Sequence, residues 1–118
     1  MCLIGLALDA HPRFPLVIAA NRDEFFDRAT APLDWWRTST NTPWLLGGRD
    51  LAAGGTWMAL SERGRIGMLT NVRDPSRQRA DAPSRGALVT AWLQGSEPEA
   101  QGHNPFNLIG GDLHSGRW

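Results

Sequence analysis

Two apolar runs open the chain, residues 2–9 (CLIGLALD) and 15–24 (PLVIAANRDE), separated by a short polar stretch holding His11, Pro12 and Arg13. Runs of this length, the second carrying Val17 and Ile18, predict two strands joined as an antiparallel hairpin. Neither run alternates. Leu3 and Ala7 are no more polar than Ile4, Leu6 and Leu8, so both strands are predicted to be covered on both faces, as in layered architectures of helices and sheets. From Phe25 to Gly55 the pattern dissolves among Pro, Thr, Gly and Trp. It predicts a long loop, of a length that in a compact domain is usually functional or mobile. A second hairpin is predicted over 56–62 (TWMALSE) and 65–72 (RIGMLTNV), turning at Arg63 and Gly64. The polar, proline-punctuated tract 73–84 predicts another loop. Ser84 is the predicted N-cap of a helix over 85–94, with Leu88, Ala91 and Trp92 as its apolar stripe and Gly95 as its stop. Residues 104–112 predict a further strand. A tight turn at 113–116 then leads into a return strand begun by Arg117 and Trp118, an ending that predicts a piece of a longer protein.

Length and composition narrow the class. At 118 residues the chain is one domain at most. Its formal net charge is zero, so no overall field draws it to nucleic acid or to an anionic membrane. All twelve basic residues are arginine, with no lysine and no tyrosine. The opening apolar run stops at Asp9 and has no basic flank, so neither a signal peptide nor a membrane span is expected. A single cysteine excludes an internal disulfide and suits a reducing cytoplasm. Six tryptophans predict an aromatic core or the wall of an apolar pocket, with core packing the commoner use of buried aromatics.

That single cysteine is Cys2, directly after the initiator. If Met1 is removed, one residue carries both a nucleophilic sulfur and a free α-amine. Such an amine can take the thiol proton, the N-terminal-nucleophile form of covalent catalysis. The densest polar cluster, Asn21-Arg22-Asp23-Glu24, closes the second apolar run. Strand alternation places Asn21 and Asp23 on one face, Arg22 and Glu24 on the other. Paired as predicted, the first hairpin would set Cys2 opposite this cluster. A carboxylate there would hold a protonated α-amine, and an arginine would stabilise a thiolate. The plain alternatives are a small hydrophobe after the initiator and a solvated strand end with an Arg–Glu pair.

The opening Met-Cys-Leu-Ile, the Ala-Asn-Arg-Asp-Glu-Phe-Phe-Asp-Arg of 20–28 and the Gly-Gly-Arg-Asp-Leu-Ala-Ala-Gly-Gly-Thr-Trp of 47–57 resemble the NRDE family, also called the transport-and-Golgi-organisation family. Leu69-Thr70-Asn71-Val72-Arg73, Ser84-Arg85-Gly86 and Phe106-Asn107-Leu108-Ile109 extend the resemblance, which runs in family order from Met1 to Trp118. It implies an α+β fold of the N-terminal-nucleophile hydrolase type, a four-layer α-β-β-α sandwich of antiparallel sheets. Residues 1–118 would form the N-terminal half of that one domain. More distantly, the chain is similar to the choloylglycine-hydrolase and penicillin-V-acylase group, in which an N-terminal cysteine cleaves amides. The resemblance then implies Cys2 as nucleophile, Asp23 as the carboxylate on the α-amine, Arg22 beside it and Asn71 near the oxyanion. In those amidases the arginine precedes the aspartate by three residues, whereas Arg22 and Asp23 are adjacent.

Asn21, Trp57 and Arg73 are the candidate substrate contacts. Arg73, Arg77, Arg79 and Arg85 suit a carboxylate or phosphate at a pocket rim, although an arginine-rich loop is more often simply solvated. His11, His103 and His114 lack metal-ligand spacing, so neither metal nor cofactor is expected. Gly47-Gly48 and Gly54-Gly55 lack the Lys-Ser/Thr of a phosphate loop and read as turns that deliver Trp57 inward. Two functions follow. One is a Cys-dependent amidohydrolase acting on a small-molecule amide. The other is a non-catalytic protein of the same scaffold that binds and moves haem or an acyl-CoA-like lipid, with the Trp-rich 25–57 stretch walling its pocket.

Overall fold

In the computed structural model, which describes residues 2–118, seven strands and one α-helix form two antiparallel sheets and a covering layer. Strands β1 (Leu3–His11) and β2 (Phe14–Asn21) make the first hairpin, with Leu3 opposite Asn21 and Leu8 opposite Leu16. The second sheet runs in chain order: β3 (Thr30–Trp36), β4 (Leu45–Asp50), β5 (Met58–Ser61), β6 (Arg65–Asn71) and β7 (Phe106–Asp112). The turn between β5 and β6 uses Gly64 at φ 77°, where a residue without Cβ avoids strain. Arg117 bridges back to Asp112, so the chain does return onto β7 after its turn.

Helix α1 (Gly86–Gln94) lies on one face of this sheet and buries Leu88, Val89 and Leu93 against Leu45, Ala59 and Leu69. Glycines in the strands let it come close. A Cβ on Gly67 would sit 3.0 Å from Val89, and one on Gly110 would sit 2.7 Å from the Trp92 ring. The Trp92 indole N–H donates to the Ile66 carbonyl at 2.8 Å, which satisfies its polar edge within the contact. Ile66 and Met68 point away from the helix yet are also buried. On that side Leu3 and Ile4, at the start of β1, line one groove together with residues of β6 and β7.

Several expectations fail here. The stretch 25–55 is no loop, because β3 and β4 pair within it. Pro32 sits in β3, an outermost strand where a missing N–H costs no ladder bond, and the register shifts between Ala31 and Asp34. In β4, Gly47 marks a close approach rather than a turn: a Cβ there would lie 2.6 Å from that of Ala59. Nor is the first hairpin covered on both faces. Leu3 is 73% exposed and Leu8, on the opposite face, 45%, so apolar side chains on both faces stand open among the described residues. Ser84 does not cap α1. The N-cap is Arg85, which makes no side-chain cap bond, and the first turn closes through backbone bonds from Ala87 to Ser84 and from Leu88 to Arg85. The stop at Gly95 holds, with φ 98° and its N–H on the last carbonyls. Trp36 and Trp92 pack on the core, whereas Trp35, Trp44 and Trp118 are exposed, so core packing serves only some of the tryptophans.

The approach of α1 to the β4–β5 connection positions the site. A Cβ on Gly55 would lie 2.6 Å from the Gly86 carbonyl carbon and 2.7 Å from its oxygen, both backbone atoms that cannot rotate away. Gly55→Ala is therefore expected to cost about 1–3 kcal/mol of stability. A urea midpoint unchanged from the parent would show that this contact yields freely.

Candidate functional site

Cys2 sits just ahead of β1, and its side chain turns back on the end of β2. The Asp23 N–H donates to Cys2 Sγ at 3.3 Å, and the thiol is 3.8 Å from the Asp23 carbonyl it can donate to. Asn21 Oδ1 accepts the Leu3 N–H at 2.9 Å. Asn21 thus pins the backbone next to Cys2 and spends its oxygen there. The juxtaposition of Cys2 with 21–24 expected from the hairpin is present. Removal of Met1 concerns a residue outside those described.

Alternation then divides the cluster. Arg22 and Glu24 enter a cleft of about 460 Å³, where Asn71, Trp57, Arg28, Asp50 and Arg85 also face. Cys2 faces a different groove, of about 730 Å³, with Ile4, Met68, Thr70, Phe106 and Leu108. The same alternation operates in β6, whose Leu69 and Asn71 line the cleft while Met68 and Thr70 line the groove. Of the expected site residues, Arg22, Asn71 and Trp57 come together. Cys2 and Asp23 meet one residue away, on the other side of the strand ends. Arg73 lines neither hollow. Arg77 and Arg79 pair with Asp74 and Asp81 in the solvated loop.

Charge in the cleft is ordered by a pair that sequence reasoning passed over. Arg28 donates to Asp50 Oδ2 through Nη2 at 2.6 Å and through Nε at 3.1 Å, and its Nε lies 3.8 Å from Glu24 Oε2. Thr30 opposes Asp50 in the β3–β4 ladder, which carries Arg28, two residues earlier, up to that carboxylate. Burial works to raise the Asp50 pKa. The Arg28 hydrogen bond, the Ala52 and Ala53 N–H groups and the Arg28 charge outweigh it, holding Asp50 below the ordinary carboxylate value. Arg28 is raised in turn, chiefly by its hydrogen bond to Asp50. Arg85 is lowered by burial, opposed by Glu24 and reinforced by Arg28. Its Nη1 donates to the Pro105 carbonyl at 3.0 Å.

A carboxylate whose folded pKa is depressed adds stability above its unfolded value, and that stability is lost as pH falls through the folded value. Asp50→Asn is expected to cost about 1–2 kcal/mol at pH 7, at the lower end because Arg28 remains partly in water. The gap between parent and variant should narrow as pH drops below about 4. Urea titrations at pH 7 and pH 3 check this, and a gap of constant size would rule out the ion pair as its source.

Among the described residues no group of three or more His, Cys, Asp and Glu could hold a metal ion, and no helix is long and apolar enough to cross a membrane.

With this arrangement in view, the relatives decide the family. The family model described as "Transport and Golgi organisation 2" matches residues 1–117. The chain belongs to the Transport and Golgi organisation 2 family. It is 37% identical to the mouse Transport and Golgi organization 2 homolog over 99% of its own length and 47% of the mouse protein. It is 36% identical to the bovine homolog, covering 96% of this chain and 46% of that one, and 34% identical to the human homolog, covering 99% and 47%. The chain therefore spans about half the length of the Transport and Golgi organisation 2 relatives it matches. The match takes in both the Cys2–Asp23 contact and the arginine-lined cleft.

Proposed function

We propose that this chain is the nucleophile-bearing part of an N-terminal-nucleophile domain, and that the full-length protein is a cysteine amidohydrolase for a small amide. The seating of Cys2 Sγ on the Asp23 backbone supports it, because it sets a nucleophile beside the carboxylate-bearing residue such a site requires. After loss of Met1, the Cys2 α-amine takes the thiol proton and the sulfur attacks the amide carbon. The C–N bond breaks, the amine leaves with that proton, and a thioester remains. Water then adds to the thioester, which releases the carboxylic acid and restores the thiol. Asp23 would orient the α-amine, Asn71 would donate to the oxyanion across the end of β6, and Arg22 and Trp57 would bear on the substrate from the cleft. Such chemistry suits the reducing cytoplasm, where a thiol persists.

A second reading is favoured by the groove itself. Its walls are mostly apolar, with Ile4, Met68, Phe106 and Leu108 beside Cys2, and would suit haem or an acyl-CoA-like lipid held without turnover. The names of the relatives, which speak of transport and Golgi organization, fit such carriage as well.

Intact mass of full-length protein made in its native host, followed by exposure to an electrophilic amide, separates the two. Loss of Met1 with a mass increase on Cys2 is the expected result. Retained Met1 would end the self-base mechanism, and tight lipid binding with no adduct would favour carriage.

A further inference from the structure

The cleft holds three guanidinium groups, on Arg22, Arg28 and Arg85, against two carboxylates, on Glu24 and Asp50. Arg28 is satisfied by Asp50 at 2.6 Å and approached by Glu24 at 3.8 Å. Among the described residues, neither Arg22 nor Arg85 has a carboxylate within salt-bridge distance. Arg85 commits one N–H to the Pro105 carbonyl, leaving further donors of its fork for another partner. Its side chain is part-buried at the start of α1, where Gly86 abuts Gly55 and holds it in place. Glu24 acts on Arg85 only from beyond ion-pair distance, so part-burial of this guanidinium is incompletely offset, and an oxyanion placed against it recovers that cost through charge-assisted bonds. Trp57 and Leu69 provide an apolar wall in the same cleft, and its volume is that of a small-ligand site.

We infer that the cleft beside Cys2 binds the oxyanion of an organic ligand, a carboxylate or a phosphate, through Arg85 with Arg22. The inference builds on the amidohydrolase reading by naming the substrate class: an amide whose anionic group sits in the cleft while its carbonyl reaches over the 22–24 segment to Cys2. Arg85 is here a specificity residue, not a catalytic one.

The test is calorimetric titration of full-length protein carrying Cys2→Ala, so that binding is read without turnover. The probes are N-hexanoylglycine, its neutral methyl ester and hexyl phosphate. The acid should bind about ten- to a hundredfold more tightly than the ester, and Arg85→Gln should erase that ratio while Arg85→Lys restores part of it. Because Arg85 also holds Pro105, a salt titration of the parent provides an independent check. Acid binding should weaken with salt while ester binding does not. Tighter binding of hexyl phosphate than of the acid would assign the cleft to phosphate esters, tighter binding of the acid to carboxylates. Equal binding of acid and ester, or a ratio untouched by Arg85→Gln and by salt, would overturn the inference. An acid that binds selectively but is never hydrolysed by protein with Cys2 intact would remove the amidohydrolase reading and leave the anion site standing.

Discussion

Cys2→Ala is expected to abolish covalent capture of an electrophilic amide by the full-length protein and to lower any amide turnover about a thousandfold or more. The size of the effect follows from the role. In the proposed mechanism no thioester forms without the sulfur, and neither Asn71 nor Asp23 would have a nucleophile to assist. Folding should barely change, by less than roughly 1 kcal/mol, because Cys2 precedes β1 and its sulfur engages the fold through two long contacts with the Asp23 backbone. Turnover and urea unfolding measured on the same preparation separate the two quantities. Turnover that persists in the alanine protein would falsify the nucleophile assignment. A large loss of stability would instead make Cys2 a structural clasp between the start of β1 and the end of β2.

The second large effect belongs to the core. Leu93→Ala should destabilise the protein by about 2–5 kcal/mol, a substantial share of the roughly 5–15 kcal/mol that holds a domain folded. Leu93 is fully buried, and its Cγ lies 3.7 Å from where a Cβ on Gly67 would be. Truncation therefore opens a cavity between α1 and β6 that backbone on both sides is poorly placed to fill. The effect should reach the cleft, since α1 begins at Gly86 beside Arg85 and Gly55. Leu33→Ala is the control. Leu33 is 73% exposed on the outermost strand β3, and its loss should stay within about 0.5 kcal/mol. Equal urea midpoints for the two variants would show that α1 is not packed on the sheet through Leu93.

Local pattern is sufficient for much of this molecule. The first and second hairpins, α1 with its stop at Gly95, and β7 all follow from short-range signals: apolar runs bounded by turn residues, and a stripe at helical spacing. Alternation along 21–24 sorts Arg22 and Glu24 from Asn21 and Asp23, and hairpin pairing sets Cys2 opposite them. Those are properties of neighbouring residues, and neighbours in sequence suffice to state them.

Tertiary structure decided what depends on distant pairs. Pro32 and the Gly47-Gly48 pair look like loop residues, and only the sheet reveals that one lies on an outer strand and the other where strands nearly touch. With 25–55 read as a loop, Asp50 had no reason to meet Arg28, so the ion pair that organises the cleft stayed hidden. Arg85 was one arginine among several until the approach of Gly86 to Gly55 brought it into the cleft, while Arg73, beside the Asn71 motif, remained outside. Backbone packing between residues some thirty positions apart chose between them, and no periodicity in a single strand or helix encodes that choice. Sequence alone placed Cys2 opposite the 21–24 segment and set which face of the strand end each of those residues takes. The fold determined which of those faces share a hollow, and so placed Cys2 in one groove and its arginines in the next.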